Sequence, residues 1–256
     1  MGRIIAVANQ KGGVGKTTTT INLAACLAEL NQKVLVIDMD PQGNCTSGFG
    51  VEKETLINTV YEVLIGECSL DECIINNVID NLSIIPSNVN LAGAEIELIG
   101  IKRKEYIIRE KIRKIRDQYN FILIDCPPSL SMLTVNAMTT ANTVLVPIQC
   151  EYFALEGLSQ LMNSVRQVKR LYNNTLEIEG IVLTMFDGRL KLTQQVVGEI
   201  KKYFANKLYK TVIPRAVRLS EAPSYGMPIQ YYDKRSKGAD AYDDLAKEFL
   251  KRNRRA

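Results

Sequence analysis

Eight residues near the start of the chain, Lys11-Gly12-Gly13-Val14-Gly15-Lys16-Thr17-Thr18, constrain the fold more than any other stretch. They follow the apolar run Ile4–Ala8 and open a helical pattern that runs from Lys16 to Leu30. Residues without Cβ let several backbone N–H groups converge on one anion, and a helix starting at that point adds the favourable end of its dipole. Lys16 then stands where an ammonium reaches a phosphate chain, and Thr17 where a hydroxyl reaches a divalent cation. The plainer use of such a run is a tight strand-to-helix turn, but a turn has no need of the lysine and threonine that follow it. A strand that feeds a phosphate-binding helix start is the first unit of a parallel α/β sheet.

The remainder of the chain repeats that unit. Further strands are expected at Val34–Asp38, Leu82–Pro86, Phe121–Asp125, Val144–Pro147, Gly180–Thr184 and Thr211–Ile213. Most are continuously apolar, as strands covered on both faces are. Helical patterns lie between them at Leu56–Ile65, Lys102–Tyr119, Ser131–Ala141, Leu155–Tyr172, Leu192–Phe204 and Gly238–Lys251. The expected architecture is α/β, a doubly wound and mostly parallel sheet with helices on both faces, of the P-loop NTPase type. The 256 residues contain no sequence repeat and no Pro/Gly/Ser-rich linker, so a single domain spanning 1–256 is expected.

Composition removes several chemistries. The chain has no histidine, which excludes Ser-His-Asp and Cys-His catalysis and any imidazole metal ligand. Cys26, Cys45, Cys68, Cys73, Cys126 and Cys150 form no C-x-x-C pair and read as ordinary thiols in a reducing cytosol. No signal peptide precedes the first strand and no apolar run approaches bilayer length, so a cytoplasmic location is expected. The net charge of +4, from 32 Lys+Arg against 28 Asp+Glu, is too small to argue for nucleic acid by itself.

Measured against G-x-x-x-x-G-K-[ST], the loop is a variant Walker A motif: Gly15 is in place, but position 10 is Gln. Its second lysine, Lys11, is the informative departure, because a lysine at the start of the loop cannot easily point at the phosphates the loop wraps. Two carboxylate segments match the same site. Val34–Ile37 leads into Asp38-Met39-Asp40-Pro41-Gln42, and Phe121–Ile124 into Asp125-Cys126-Pro127-Pro128. Both put acids at the C-terminal edge of a buried strand, where open α/β sheets bind ligands. Asp125 fits a Walker B acid that holds Mg²⁺ through water.

The K-G-G-x-G-K-[ST] loop resembles that of the deviant Walker A ATPases of the ParA/MinD superfamily. Three later stretches, Leu91–Leu98, Gln149–Leu158 and Val212–Ser224, resemble the chromosomal ParA/Soj branch, and the likeness covers essentially the whole chain. It implies ATP and Mg²⁺ as ligands, held by Lys11 through Thr18. In this family the first lysine, here Lys11, reaches across an ATP-dependent homodimer to the partner's phosphates, as an arginine finger does. Asp40 then orients or activates the attacking water, Asp38 supports the metal shell, and Lys16 serves catalysis as well as binding. The resemblance further implies that Pro214 contacts the adenine with Arg215 nearby, and that Glu151 sits close to the dimer interface. Non-specific double-stranded DNA is the implied output, clamped through phosphates by Arg189 and Arg218. A ParB/Spo0J-type protein is the implied stimulator of hydrolysis. Because the chain starts at its first strand, an N-terminal operator-binding extension is not expected.

Two rival outputs use the same chemistry. A MinD-like membrane switch needs a lipid-inserting C-terminal helix; Tyr242, Leu245, Ala246, Phe249 and Leu250 form an apolar stripe, but core packing is the expected use. The second rival is a metabolic enzyme or metal-cluster carrier on the same scaffold, such as a nitrogenase-iron-protein relative or an ATP-dependent synthetase; a cluster carrier needs interface cysteines, and Cys126 does not match that pattern. Of the basic clusters, Lys102–Arg116 is expected to be a solvated helix face over a buried Ile108/Ile112/Ile115 stripe, and Lys251–Arg255 a basic end.

Overall fold

The computed structural model describes residues 2–253. Its strands are β1 (Arg3–Val7), β2 (Val34–Asp38), β3 (Ile75–Ile79), β4 (Leu82–Ile85), β5 (Phe121–Asp125), β6 (Thr143–Gln149), β7 (Glu177–Phe186) and β8 (Leu208–Pro214). They form one sheet in the order β3-β4-β2-β5-β1-β6-β7-β8. Every neighbouring pair is parallel except β3 with β4. The expected doubly wound, mostly parallel sheet is therefore present.

The helices are α1 (Lys16–Glu29), α2 (Asn44–Gly48), α3 (Val60–Ile65), α4 (Leu70–Cys73), α5 (Leu91–Glu97) and α6 (Ile107–Ile112), followed by α7 (Met132–Thr140), α8 (Ala154–Leu171), α9 (Lys191–Phe204), α10 (Val217–Glu221), α11 (Ile229–Tyr232) and α12 (Lys237–Asn253). Strand residues alternate between two separate cores. Ile4 and Ala6 of β1 and Ile122 and Ile124 of β5 enter one, with α3 and α5 to α9. Ile5, Val7 and Leu123 enter the other, with α1, α11 and α12. A strand buried on both faces has no polar side to show, which is why these segments read as unbroken apolar runs.

Three sequence expectations change. The edge strand β3 was not expected; its Ile-Asn-Asn-Val-Ile sequence is only partly buried and bulged against β4, with Asn77 at a φ of 52°. The single helix expected over Lys102–Tyr119 is broken into two short 3₁₀ turns flanking α6. Asn136 of α7 takes the backbone groups that a continuous helix would use, donating to the Lys104 carbonyl at 2.9 Å and accepting the Ile108 N–H at 3.4 Å. Ile108, Ile112 and Ile115 are buried as expected. Several of the basic residues there are not simply solvated: Arg109, Lys111 and Arg116 donate to the carbonyls of Tyr172, Cys68 and Gly2.

The apolar stripe of α12 packs into the second core, with Tyr242, Leu245, Ala246 and Phe249 all buried. Of the C-terminal basic cluster, Arg254 and Arg255 lie outside the described residues. No helix among the described residues is long and apolar enough to cross a membrane. The six cysteines are free, with Cys68 alone not fully buried.

Candidate nucleotide site

The chain leaves β1 at Val7 and turns into α1 through residues 8–15. Gly13 and Gly15 hold φ of 73° and 83°, left-handed values that a side chain would strain. Gly15 caps α1 without any side-chain acceptor, and the first turn carries no acidic residue. The N–H groups opening α1 are thus aimed at an anion from outside the helix. Strands β6 and β7 fix the loop: Thr184 Oγ1 donates to the Val14 carbonyl at 2.8 Å, and Asn9 Nδ2 to the Pro147 carbonyl at 2.8 Å. Asn9 Oδ1 in turn accepts the Lys11 N–H at 3.0 Å.

Asp38 and Asp125 lie side by side because β2 and β5 are neighbours with those two residues in register. Both are completely buried. Asp38 accepts the Thr46 N–H at 2.9 Å, the Thr46 hydroxyl at 2.8 Å and the Asp40 N–H at 3.1 Å. Asp125 accepts the hydroxyls of Thr17 at 2.7 Å and Thr20 at 2.9 Å. Burial pushes Asp38 up to about 6 despite the Thr46 hydrogen bonds, and burial with the Asp38 charge beside it pushes Asp125 up to about 8. Lys16 is buried too, and desolvation lowers its pKa against the attraction of Asp125, Cys126 and Asp40. Its Nζ donates to the Lys11 carbonyl at 3.2 Å.

Two buried, crowded carboxylates beside one lysine and a threonine hydroxyl make a place that favours added positive charge. The donors are hard oxygens and few: among the described residues no cluster of three or more His, Cys, Asp or Glu forms a protein-only cage. That set fits Mg²⁺ arriving with substrate phosphates, which keeps most of its shell from water and phosphate. Thr17, Asp38 and Asp125 are the residues able to hold it.

Asp40 sits at the rim of this site, nearly buried, with its carboxylate accepting the Gln42 N–H at 2.9 Å. Ser87, two residues past β4, donates its hydroxyl to the Asp40 carbonyl at 2.8 Å and its N–H to Thr46 Oγ1 at 2.9 Å. One segment thereby ties Asp38 to Asp40. Lys11 stays outside the cradle: its Nζ meets Glu151 Oε2 at 2.6 Å. Pro214 ends β8 and the exposed Arg215 follows it. Phe186 of β7 is in register with Pro214, so the exposed Arg189 and Arg218 leave neighbouring strands at the same sheet edge as the loop. Thr20, Thr46, Ser87, Thr184 and Asn9 were not singled out from sequence. Each hydrogen-bonds a group distant in the chain, and only the register brings those groups together.

A sequence profile described as an AAA domain matches residues 2–178. The sporulation initiation inhibitor protein Soj of Bacillus subtilis is 54% identical over 248 residues, covering 97% of this chain and 98% of that protein. The chain belongs to the ParA/Soj family of chromosome-partitioning ATPases. Two solved relatives of this ParA/Soj chain carry the fold comparison. A putative plasmid partition protein from Borrelia burgdorferi bound to AMPPNP has a TM-score of 0.83 at 30% identity, covering 98% of this chain and 99% of that one. Cobyrinic acid a,c-diamide synthase from Mycobacterium smegmatis, with bound ATP analog and magnesium, has a TM-score of 0.87 at 33% identity, covering 99% and 96%. Partition proteins and a biosynthetic enzyme thus share the fold, so the fold alone does not give the output.

Proposed function

We propose that this ParA/Soj-family chain acts as a single-domain, ATP-dependent partition switch of the cytoplasm and nucleoid. Lys16, with the backbone of Gly12 to Thr18, holds the phosphates of ATP, while Pro214 and Arg215 border the base. Mg²⁺ arriving with the nucleotide would supply charge neutralisation on the phosphates. Thr17, Asp38 and Asp125 hold that ion, and Asp40 orients the attacking water. Phosphoryl transfer needs positioning and charge stabilisation more than covalent catalysis, so a chain without histidine suffices.

The observation that carries the reading is the division of labour between two lysines: Lys16 buried within the loop, and Lys11 outside it on the exposed side, held by Glu151. Lys11 is the group that bridges to the phosphates of a second copy and makes the dimer depend on ATP. The dimer then lines up Arg189 and Arg218 of both copies along duplex DNA, binding phosphates without reading sequence. A ParB/Spo0J-type protein stimulates hydrolysis and so releases the DNA. The relatives named for chromosome and plasmid partition support this output. A MinD-like membrane output has little support, because the apolar side chains of α12 are committed to the core.

The decisive experiment measures DNA binding with ATP, with ADP and without nucleotide across a salt series. Retention only with ATP, falling steeply with salt, is expected. Equal binding in all three states would refute the switch, and ATP-dependent sedimentation with anionic vesicles in place of DNA would favour the membrane output.

A further inference from the structure

Arg189 and Asp187 leave the end of β7 together and occupy one another. The guanidinium forks onto the carboxylate, with Nε to Oδ1 at 2.9 Å and Nη2 to Oδ2 at 2.6 Å, and the Arg189 N–H also donates to Oδ1 at 3.1 Å. The side chains of Arg189 and Asp187 are 90% and 29% exposed, so neither charge is fully buried and solvent reaches the pair. Hydrogen bonding from the Arg189 side chain and backbone holds Asp187 down at about 2, leaving it ionised at neutral pH. In α10, just past the neighbouring strand, Arg218 is also paired, though not as a fork: it meets Glu221 at 2.9 Å and Asp233 at 3.5 Å. Arg189 and Arg218 are thus presented to solvent with their charge already matched.

A guanidinium fork fits a carboxylate and a phosphate in the same geometry. We propose that Asp187 restrains DNA binding by occupying the Arg189 fork, so that every phosphate contact there is an exchange of carboxylate for phosphate. The inference rests on the reading of Arg189 as a DNA contact. An exposed pair of this kind is weak, so the exchange is accessible. A matched pair also displaces fewer counterions from DNA than a free arginine does, which lowers both affinity and salt dependence. Complexes limited in this way are short-lived, as a switch that must release its track requires. If the carboxylate served only to aim the guanidinium, neutralising it would weaken DNA binding instead.

The test is Asp187→Asn in the full chain with ATP, against duplex DNA of unrelated sequences over a salt series. The expected result is binding tighter by about two- to five-fold, as for release of an exposed pair, with a slope of log affinity against log salt steeper by up to about 0.9. ATP hydrolysis without DNA should not change, and a circular-dichroism melt confirms that the variant folds. In an Arg189→Ala background the same substitution should give no gain. Unchanged or weaker DNA binding by Asp187→Asn overturns the inference, as does an equal gain without Arg189, which would reduce Asp187 to distant repulsion. Failure of the underlying reading looks different: the unaltered protein would bind nucleotide yet retain no DNA with ATP at any salt.

Discussion

Lys11 Nζ lies 2.6 Å from Glu151 Oε2, which ties the first lysine of the phosphate loop to the segment following β6 of the same chain. Gln149 also donates to the other Glu151 oxygen, so the carboxylate is itself held in place. Both partners are partly exposed, and a pair of this sort contributes at most about 1 kcal/mol. Lys11 can therefore leave it for a stronger, phosphate-bearing partner. Lys11→Ala is expected to bind an ATP analogue within about a factor of three of the unaltered chain, since only a weak surface pair is lost. It should stay monomeric by light scattering when ATP is added, and an ATP-dependent dimer of this variant would exclude the bridging role.

Lys16 is placed differently, buried among Asp125, Cys126 and Asp40. Removing its ammonium by Lys16→Ala should weaken nucleotide binding by about 100-fold or more, the scale of lost charge-assisted hydrogen bonds to a polyphosphate. Thr17→Ala should instead leave an affinity that is the same with Mg²⁺ and with a chelator. Fluorescence titrations under both conditions separate the two, and tight Mg-ATP binding by Lys16→Ala would contradict its assignment.

Asp40 gives its backbone N–H to Asp38, while its carboxylate stays off the buried pair and accepts the Gln42 N–H. Asp40→Ala is expected to retain Mg-ATP and dimerise but to lose hydrolysis, so that the complex persists on DNA. Phosphate release and DNA dissociation, measured side by side, check this. Turnover at the unaltered rate would mean that another group handles the water.

The threonines beneath the site should matter for stability before they matter for activity. Thr20→Val and Thr46→Val each remove hydroxyl donors from a completely buried carboxylate, Asp125 and Asp38 respectively. Each is expected to destabilise the protein by about 1–3 kcal/mol, the cost of leaving a buried acceptor short of a partner. Urea denaturation without Mg²⁺ gives the value, and a change under about 0.5 kcal/mol, the level of an ordinary surface substitution, would show that the carboxylate is satisfied otherwise.

Why the loop, Asp38, Asp40 and Asp125 were legible in the sequence follows from locality. Each sits within a few residues of an apolar strand end, and a parallel sheet brings all such ends to one edge. What was not legible depends on contacts across the chain. Thr20 looks like an ordinary helix residue until β5 puts Asp125 beside it, and Thr184 like an ordinary strand residue until the sheet brings it to the Val14 carbonyl. Lys102–Tyr119 has helical spacing throughout, but Asn136 of another helix competes for its backbone. Cys68 and Cys73 show no motif spacing, yet their sulfurs lie 3.0 Å apart because the turn into α4 folds back on α3.

Every residue of α1 from Thr19 to Ala28 is buried, which has a kinetic meaning for the loop at its head. Amide hydrogens along such a helix are expected to exchange with solvent only through large-scale opening, whereas exposed segments such as 151–153 and 188–190 are expected to exchange through local excursions. The phosphate cradle is therefore anchored to the slowest-opening part of the molecule. On the proposed reading, nucleotide comes and goes without loosening that anchor, and the surfaces that change partners belong to the fast-exchanging rim.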